Sequence, residues 1–421
     1  MLLGCIADDL TGATDLAIML TRAGMRTLQV MEVPKAGDAR LAGYDAIVVA
    51  LKTRTCPVVE AIDLSLKSAD ALETLGAKQL FFKYCSTFDS TAQGNIGPVA
   101  EALLAHVGGD LAIACPAFPT NKRTVYMGHL FVGDVPLNES PMQDHPLTPM
   151  RDSSLMRVLQ GQTKGKVGLV PFAVVDRGAA AITEAYEAAR KRGERFVIVD
   201  AITDKHLVDM GTAAADMALI TGGSGVALGL PANFVRKGLM QTAEAPRSMT
   251  APKGRSAILA GSCSEATRGQ VARAKAAGVP AFEIDAMALA AGKITAADMA
   301  AWAAKQPADK PFLIYSSAEP AVIKAVQDKL GREAAGVLVE REMASLAKQL
   351  VAAGVTRMIV AGGETSGAVV NGLGVTALEI GPEIDPGVPW TRAVGRDLVL
   401  ALKSGNFGGP DFFTKAWEKL A

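Results

Sequence analysis

The sequence predicts an α/β protein made of two three-layer domains with mainly parallel sheets, and three observations predict it. Short apolar runs rich in Val, Ile and Leu alternate with stretches of helical period from the first residues onward, the pattern of a parallel sheet covered by helices. The alternation continues through 421 residues, too many for one ordinary core. Loops rich in Gly, Ser, Thr and Asp follow apolar runs in both halves, and ligands of open α/β sheets bind beyond the carboxyl ends of the strands, where such loops lie. Two sets of loops imply two ligands and an active site in the cleft between the domains.

Taken in order, LLGCIA opens the first sheet, and a helix over 11–23 follows, with Leu16, Met19, Leu20 and Ala23 at helical spacing to face it. RTLQVM, YDAIVVAL, QLFFKYC, LAIACPA, KVGLVPF and RFVIVDA read as further strands, with helices over 58–75, 95–107, 176–192 and 204–216. From Phe118 to about Ser153 the pattern breaks into a long irregular stretch, a length of loop that is usually functional. A glycine-rich turn, TGGSG, spans Thr221 to Gly225. This first domain is expected over 1–240. Residues 241–255 lack periodicity and carry two prolines, so they read as a linker. The second domain, 256–421, repeats the scheme with strands SAILAG, AFEID, PFLIYSS, RMIVAGG and TALEIGP and helices over 266–277, 296–305, 321–330 and 341–353.

Lys and Arg total 43 and Asp and Glu total 43, so no net field would hold the chain on nucleic acid or an anionic membrane. Any anionic ligand must be gripped locally. No leader pattern opens the chain and no apolar run reaches the roughly 18 residues of a spanning helix, so a cytoplasmic protein is expected. The five cysteines, Cys5, Cys56, Cys85, Cys115 and Cys263, are scattered without zinc or disulfide spacing. Cys85 and Cys263 meet polar loops, yet no His stands near either to activate a thiolate. The four histidines form no metal-ligand spacing, and no metal held by protein ligands is expected.

Asp8 and Asp9 end the first strand just before a helix. One could cap that helix, but successive side chains diverge and both cannot serve one cap, which leaves a carboxylate for ligand hydroxyls, a magnesium-bound phosphate or a proton. Lys83 closes a strongly apolar strand, a costly place for a cation unless it snorkels or meets an anion. Asp89, Ser90 and Thr91 surround the turn that follows, and the helix start beyond could hold a carboxylate or phosphate. Arg54 in KTRTCP and Arg123 in CPAFPTNKRT also stand after strands, and each offers a bidentate match to the carboxylate of a sugar acid.

The loops of the second half are directed at anions. GSCS carries Ser262 and Ser264. GGETSG carries Gly362, Gly363, Glu364 and Thr365 at a strand-to-helix turn, where the glycines admit a ligand and the helix start presents unpaired N–H groups. SGNFGG, with Gly405 and Asn406, could close over the same nucleotide. Neither G-x-x-x-x-G-K-[ST] nor a G-x-G-x-x-G after the first strand occurs, which disfavours a Walker-type ATPase and an ordinary NAD dehydrogenase.

Together, ADDLTGATD, KYCSTFDSTAQGN, CPAFPTNKRT, GSCS, AGGETSG and SGNFGG resemble the four-carbon acid sugar kinase family, in order and over essentially the whole chain. The resemblance implies an ATP-dependent kinase whose N-terminal domain holds the sugar acid and whose C-terminal domain holds the nucleotide, with Ser262, Gly362 to Thr365 and Gly405 contacting ATP. Within the family, KYCSTFDSTAQGNIGP and the stretch from Thr124 to Asp152 look most like the branch acting on 3-oxo-tetronate. Branches acting on threonate or erythronate typically carry Arg where this chain has Gln93. On this reading Arg54, Arg123 and Lys83 grip the acid, Asp8 or Asp9 takes the proton of its 4-hydroxyl, ATP arrives with Mg²⁺, and hinge closure about the linker excludes water. A homodimer is compatible with it. The alternatives are a D-threonate or D-erythronate kinase and, in another class, a non-catalytic cytosolic sugar-acid sensor.

Overall fold

The structure, a computed structural model, describes residues 1–35, 37–145, 148–241, 244, 246, 248–316 and 332–421, the last segment by its backbone alone over 332–335. The chain divides into two compact units, 1–245 and 246–421. No helix among the described residues is long and apolar enough to cross a membrane.

In the first unit the strands are β1 (Leu3–Ala7), β2 (Thr27–Val30), β3 (Ala46–Ala50), β4 (Gln79–Lys83), β5 (Ala112–Cys115), β6 (Arg123–Tyr126), β7 (His129–Val132), β8 (Val135–Pro136), β9 (Lys166–Val170), β10 (Glu194–Val199) and β11 (Leu219–Gly222). The helices are α1 (Leu10–Arg22), α2 (Val58–Thr74), α3 (Ile96–His106), α4 (Leu155–Gln160), α5 (Phe172–Val175), α6 (Ala179–Lys191), α7 (Asp204–Ala213) and α8 (Pro231–Arg236). A wholly parallel sheet runs β2-β3-β1-β4-β11-β5-β10-β9. Every residue of β1, β3 and β4 is buried, so both faces of the sheet are covered and the unit has three layers, as their continuous apolar runs require. β1 lies between β3 and β4 although it precedes both, which makes its carboxyl end a topological switch point.

Two expectations for this unit are corrected. The expected irregular stretch after Phe118 contains a small antiparallel sheet, β6-β7-β8. Its hairpin turns at Met127 and Gly128, with φ of 50° and 74°, the left-handed pair of a two-residue turn for which Asn-Gly is the usual signal and Met-Gly is not. The buried carboxylate of Asp200, at the end of β10, accepts from the N–H groups of Met127 (2.7 Å), Gly128 (2.9 Å) and Phe172 (2.7 Å), and so holds a turn that Met alone would disfavour. The helix expected over 176–192 starts only at Ala179, as α6, because Gly178, whose φ is 89°, separates it from the short α5 that precedes it.

In the second unit the strands are β12 (Arg255–Ala260), β13 (Ala281–Glu283), β14 (Phe312–Tyr315), β15 (Val355–Ala361), β16 (Ala377–Asp385), β17 (Val388–Ala393) and β18 (Val399–Lys403). The helices are α9 (Glu265–Ala276), α10 (Ala286–Ala290), α11 (Ala296–Ala304), α12 (Arg332–Ala352), α13 (Gly363–Leu373) and α14 (Phe412–Lys415). The order is β13-β14-β12-β15-β18-β17-β16, parallel as far as β18 and antiparallel beyond. Sequence reading missed β17 and β18, since Pro389 interrupts the first of them at an irregular point of the ladder. The expected helix over 341–353 is the end of the longer α12, and that over 321–330 lies outside the described residues. The later part of the expected linker is tied into this unit, with Met249 N–H on the Lys419 carbonyl (3.0 Å) and Ala251 N–H on that of Ala421 (2.8 Å).

Trp390 of β17 is wholly buried among Val388, Phe412, Phe413 and Val399, packs at a tilt against Trp417 with ring centroids 5.4 Å apart and donates Nε1–H to the Ala416 carbonyl at 2.7 Å. Trp390→Ala leaves both a cavity and an unsatisfied carbonyl, so the second unit is expected to lose about 3–5 kcal/mol of stability in denaturant titration.

Candidate active site

The register of β1 places Ala7 level with Ala50 of β3 and with Lys83 of β4, so the three chain ends emerge side by side. The loops are stitched at once: Asp8 N–H donates to the Lys83 carbonyl (3.1 Å) and Thr53 N–H to that of Asp8 (3.0 Å). Asp8, Asp9, Arg54, Lys83 and Asp89 are thereby brought together.

Arg54 is the hub. Its Nε donates to Asp8 Oδ2 and its Nη2 to Asp8 Oδ1, both at 2.9 Å, a two-pronged match. Nη2 also lies 2.9 Å from Asp9 Oδ1, and Nη1 lies 4.0 Å from Asp89 Oδ2. The guanidinium expected to seize a ligand carboxylate is thus already occupied by the protein's own. Burial opposes its charge, but Asp8 and Asp9 outweigh burial and hold its pKa well above the ordinary value. Burial pushes the Asp8 carboxyl up, against the pull of Arg54. Burial acts the same way on Asp9, but Arg54 and Lys83, with hydrogen bonds from Thr11 and Gly12, bring it below the usual carboxylate range. The two neighbours therefore differ: Asp9 is the fixed anion and N-cap of α1, accepting from Gly12 N–H at 2.9 Å, whereas Asp8 is the carboxyl closer to taking a proton.

Lys83 is buried and donates Nζ–H to the Tyr84 carbonyl at 2.8 Å. It shares the space beside Gly12 with Asp9, since a Cβ there would stand 2.2 Å from Asp9 Oδ1 and 3.1 Å from Lys83 Nζ. Asp15, one turn further along α1, accepts from Ser224 Oγ and is pushed up by burial against the charge of Lys83. Asp89 follows Phe88, a buried residue at φ 50° packed edge-on to Tyr84 at 5.3 Å, and one of its oxygens, Oδ1, is buried with no protein hydrogen-bond partner. Asp89 lines a small pocket with Asp8, Thr53, Arg54 and Asn95.

Ser90 and Thr91 serve the turn. Ser90 Oγ accepts from Ile96 N–H at 3.3 Å, and Gln162 Nε2 donates to Ser90 Oγ (2.9 Å) and to the Thr91 carbonyl. Arg123 makes no ion pair with the Arg54 cluster among the described residues; it lies on β6 and donates to the Asn121 carbonyl (2.5 Å). Cys85 Sγ accepts from Asp89 N–H at 3.2 Å, and burial pushes its thiol up to about 12, which suits a structural sulfur rather than a nucleophile. His106 pairs with Glu73 at 2.9 Å in an exposed cluster with Asp70.

The second unit repeats the device. Ala260 ends β12 level with Ala361 of β15, which is level with Lys403 of β18. Ser262 and Ser264 follow the first strand, Gly362 to Thr365 the second, and Gly405 and the exposed Asn406 the third. Gly362 has φ 126°, and the helix expected to begin near Thr365, α13, begins directly after it, two residues earlier and with no side-chain cap. Its first N–H groups face the loops uncapped. A Cβ on Gly405 would stand 2.4 Å from Ser262 Oγ, and one on Gly261 would stand 2.1 Å from Thr365 Oγ1. The Gly405 carbonyl accepts from Ser264 Oγ (2.6 Å), Thr267 Oγ1 (2.8 Å) and Lys403 Nζ (3.0 Å). Gln270 Nε2 donates to the carbonyls of Phe407, Gly408 and Gly409.

A family model described as a sugar-binding N-terminal domain matches residues 3–230, and one described as a nucleotide-binding C-terminal domain matches 257–413. The chain is 56% identical over 421 residues to the 3-oxo-tetronate kinase of Cupriavidus necator, covering all of this chain and 97% of that protein. It is 53% identical over 420 residues to the 3-oxo-tetronate kinase of Burkholderia multivorans, with the same coverage. The chain belongs to the four-carbon acid sugar kinase family. A crystal structure of a Haemophilus influenzae protein, 42% identical, superimposes with a TM-score of 0.85 over 99% of this chain and 100% of that one.

Against the family motifs, sequence reasoning overlooked Thr53, Asn95 and Gln162 in the first unit and Thr267, Gln270 and Lys403 in the second. Only Lys403 carried a signal: it closes the apolar run VLALK as Lys83 closes QLFFK.

Two substitutions check the geometry. Gly12→Ala is expected to lower the unfolding midpoint of the first unit despite the better helix propensity of Ala, because it drives Asp9 off its cap, worth about 1 kcal/mol. Gly405→Val tests the expectation that these loops hold a nucleotide: ATP binding should weaken at least tenfold by calorimetry, and unchanged affinity would reject that expectation.

Proposed function

We propose that this chain is an ATP-dependent kinase that converts 3-oxo-tetronate to 3-oxo-tetronate 4-phosphate. The observation that carries the proposal is its end-to-end relationship, at 56% identity, to a 3-oxo-tetronate kinase. Gln93, in place of the Arg typical of threonate and erythronate branches, agrees with it.

Phosphoryl transfer asks a protein for alignment and for neutralisation of spreading negative charge more than for covalent chemistry. Lys83, with Arg123 and the outer edge of Arg54, receives the carboxylate and neighbouring oxygens of the acid, and Asp89, Ser90 and Thr91 line its path. Asp8, whose carboxyl burial has raised, accepts the proton of the reacting hydroxyl, while Asp9 stays ionised and keeps Arg54 and Lys83 in place. In the second unit Ser262, Ser264, Gly362, Gly363, Glu364, Thr365, Gly405 and Asn406 hold ATP. Magnesium, when bound, would supply charge neutralisation for the transfer. The loops there offer hydroxyls, N–H groups and the exposed carboxylates of Glu265 and Glu364, a donor set that fits an ion held by the triphosphate and water rather than by a protein cage. The enzyme works in the cytoplasm, and a homodimer is its proposed assembly.

A coupled ADP-release assay across four-carbon acids tests this. Turnover is expected to be highest with 3-oxo-tetronate; preference for D-threonate or D-erythronate would move the chain to another branch, and no ATP consumption with any acid would favour a sensor. Asp8→Asn and Asp9→Asn proteins are expected to stay folded, since Asn is nearly isosteric and also caps helices. At least one should lose about 10²-fold or more in kcat, and wild-type rates in both would remove these carboxylates from the mechanism.

A further inference from the structure

Among the described residues Lys403 is a buried cation with no acid beside it. It is 1% exposed, and its Nζ donates to Thr267 Oγ1 and to the Gly405 carbonyl, both at 3.0 Å and both neutral. Lys83, at the corresponding strand end of the first unit, has the charges of Asp8, Asp9 and Asp15 around it. The ionisable groups on the elements next to Lys403 are Cys263 in the loop after β12, Glu265, Arg268, Arg273 and Lys275 on α9, Arg357 on β15, Glu364 on α13 and Arg392 on β17. No ion pair joins any of them to it. An ammonium taken out of water without a counter-charge is unfavourable, so such a group persists where a ligand provides the anion.

Its placement says which ligand. Lys403 stands level with Ala361 in the sheet, and the Gly362 N–H donates to its own carbonyl at 2.9 Å, so the ammonium lies under the meeting point of the three glycine and serine loops. It also shapes one of them. Together with Ser264 and Thr267 it turns the Gly405 carbonyl inward. In a trans peptide the N–H of the next residue points the opposite way, so the Asn406 N–H is turned outward, and no backbone carbonyl among the described residues accepts it.

We propose that Lys403 is the cation of the nucleotide site, a positioning residue that sets the 404–409 loop and draws the polyphosphate of ATP onto it. This rests on the reading that the second unit holds the nucleotide. Burial lowers the Lys403 pKa to about 8. A phosphate chain nearby favours the charged amine and raises that value again, so nucleotide binding near pH 8 takes up a proton.

Calorimetry with ADP and with adenosine, in two buffers of different ionisation enthalpy, tests it. The wild-type protein is expected to take up about half a proton with ADP at pH 8, where the phosphates of ADP are already ionised, and none with adenosine. Lys403→Met should weaken ADP at least tenfold, change adenosine less than twofold and abolish the uptake. Lys403→Arg, always charged, should keep ADP affinity within a fewfold and show no uptake. Equal weakening of ADP and adenosine in Lys403→Met would reduce the lysine to a scaffold and overturn the proposal. So would a Lys403→Arg protein that bound ADP as weakly as Lys403→Met. If wild-type protein bound no ADP, or Gly405→Val bound it normally, the nucleotide reading itself would fail; a failure confined to the Lys403 variants leaves that reading standing.

Discussion

Parallel strands deliver their carboxyl ends to a common edge, and every functional feature of this molecule depends on that constraint. In the first unit it sets the ends of β3, β1 and β4 side by side, so that Arg54, Asp8 and Lys83, separated by tens of residues in the chain, become neighbours. In the second unit it does the same for Ser262, Gly362 and Lys403. The sheets are buried on both faces, so the edge is where polar side chains can gather without entering the core.

The two edges use charge in different ways. Around Arg54 the charges are balanced within the protein, with Asp8 and Asp9 in contact and Asp89 at the margin. Such a cluster is held rigid by its own pairing, and it separates the acidities of two adjacent carboxyls by giving them different neighbours. Around Lys403 the balance is left open, and the partners are hydroxyls and carbonyls. One edge is organised before any ligand arrives, whereas the other is completed by one.

Much of this was legible in the chain. The apolar runs named nearly all the parallel strands because strands buried on both faces carry no alternation to misread. The residues after those runs, Asp8, Asp9, Arg54, Lys83 and Asp89, named most of the first cluster because the carboxyl end of a strand is also its end in sequence. The hairpin at Met127 was not legible, since its left-handed turn is held by Asp200, a carboxylate 73 residues away. Gln162, which closes the turn at Ser90 from 72 residues away, left no local trace either. The pairing of Arg54 was not legible for the same reason: a guanidinium after a strand looks wholly available to a ligand until the carboxylates that fill one side of it are seen across the sheet.

The lone oxygen of Asp89 bears on selectivity. A desolvated acceptor that the fold leaves unsatisfied rewards any guest presenting an O–H at that spot and penalises one that presents only C–H. With Asp89 in its proposed place on the path of the acid, discrimination of this kind is steep for the loss of a hydroxyl and shallow for small differences in carbon skeleton, so deoxy acids would be turned away far more strictly than longer or shorter polyhydroxy ones. The strained Phe88 backbone, clamped against Tyr84, keeps that oxygen where it can make the distinction.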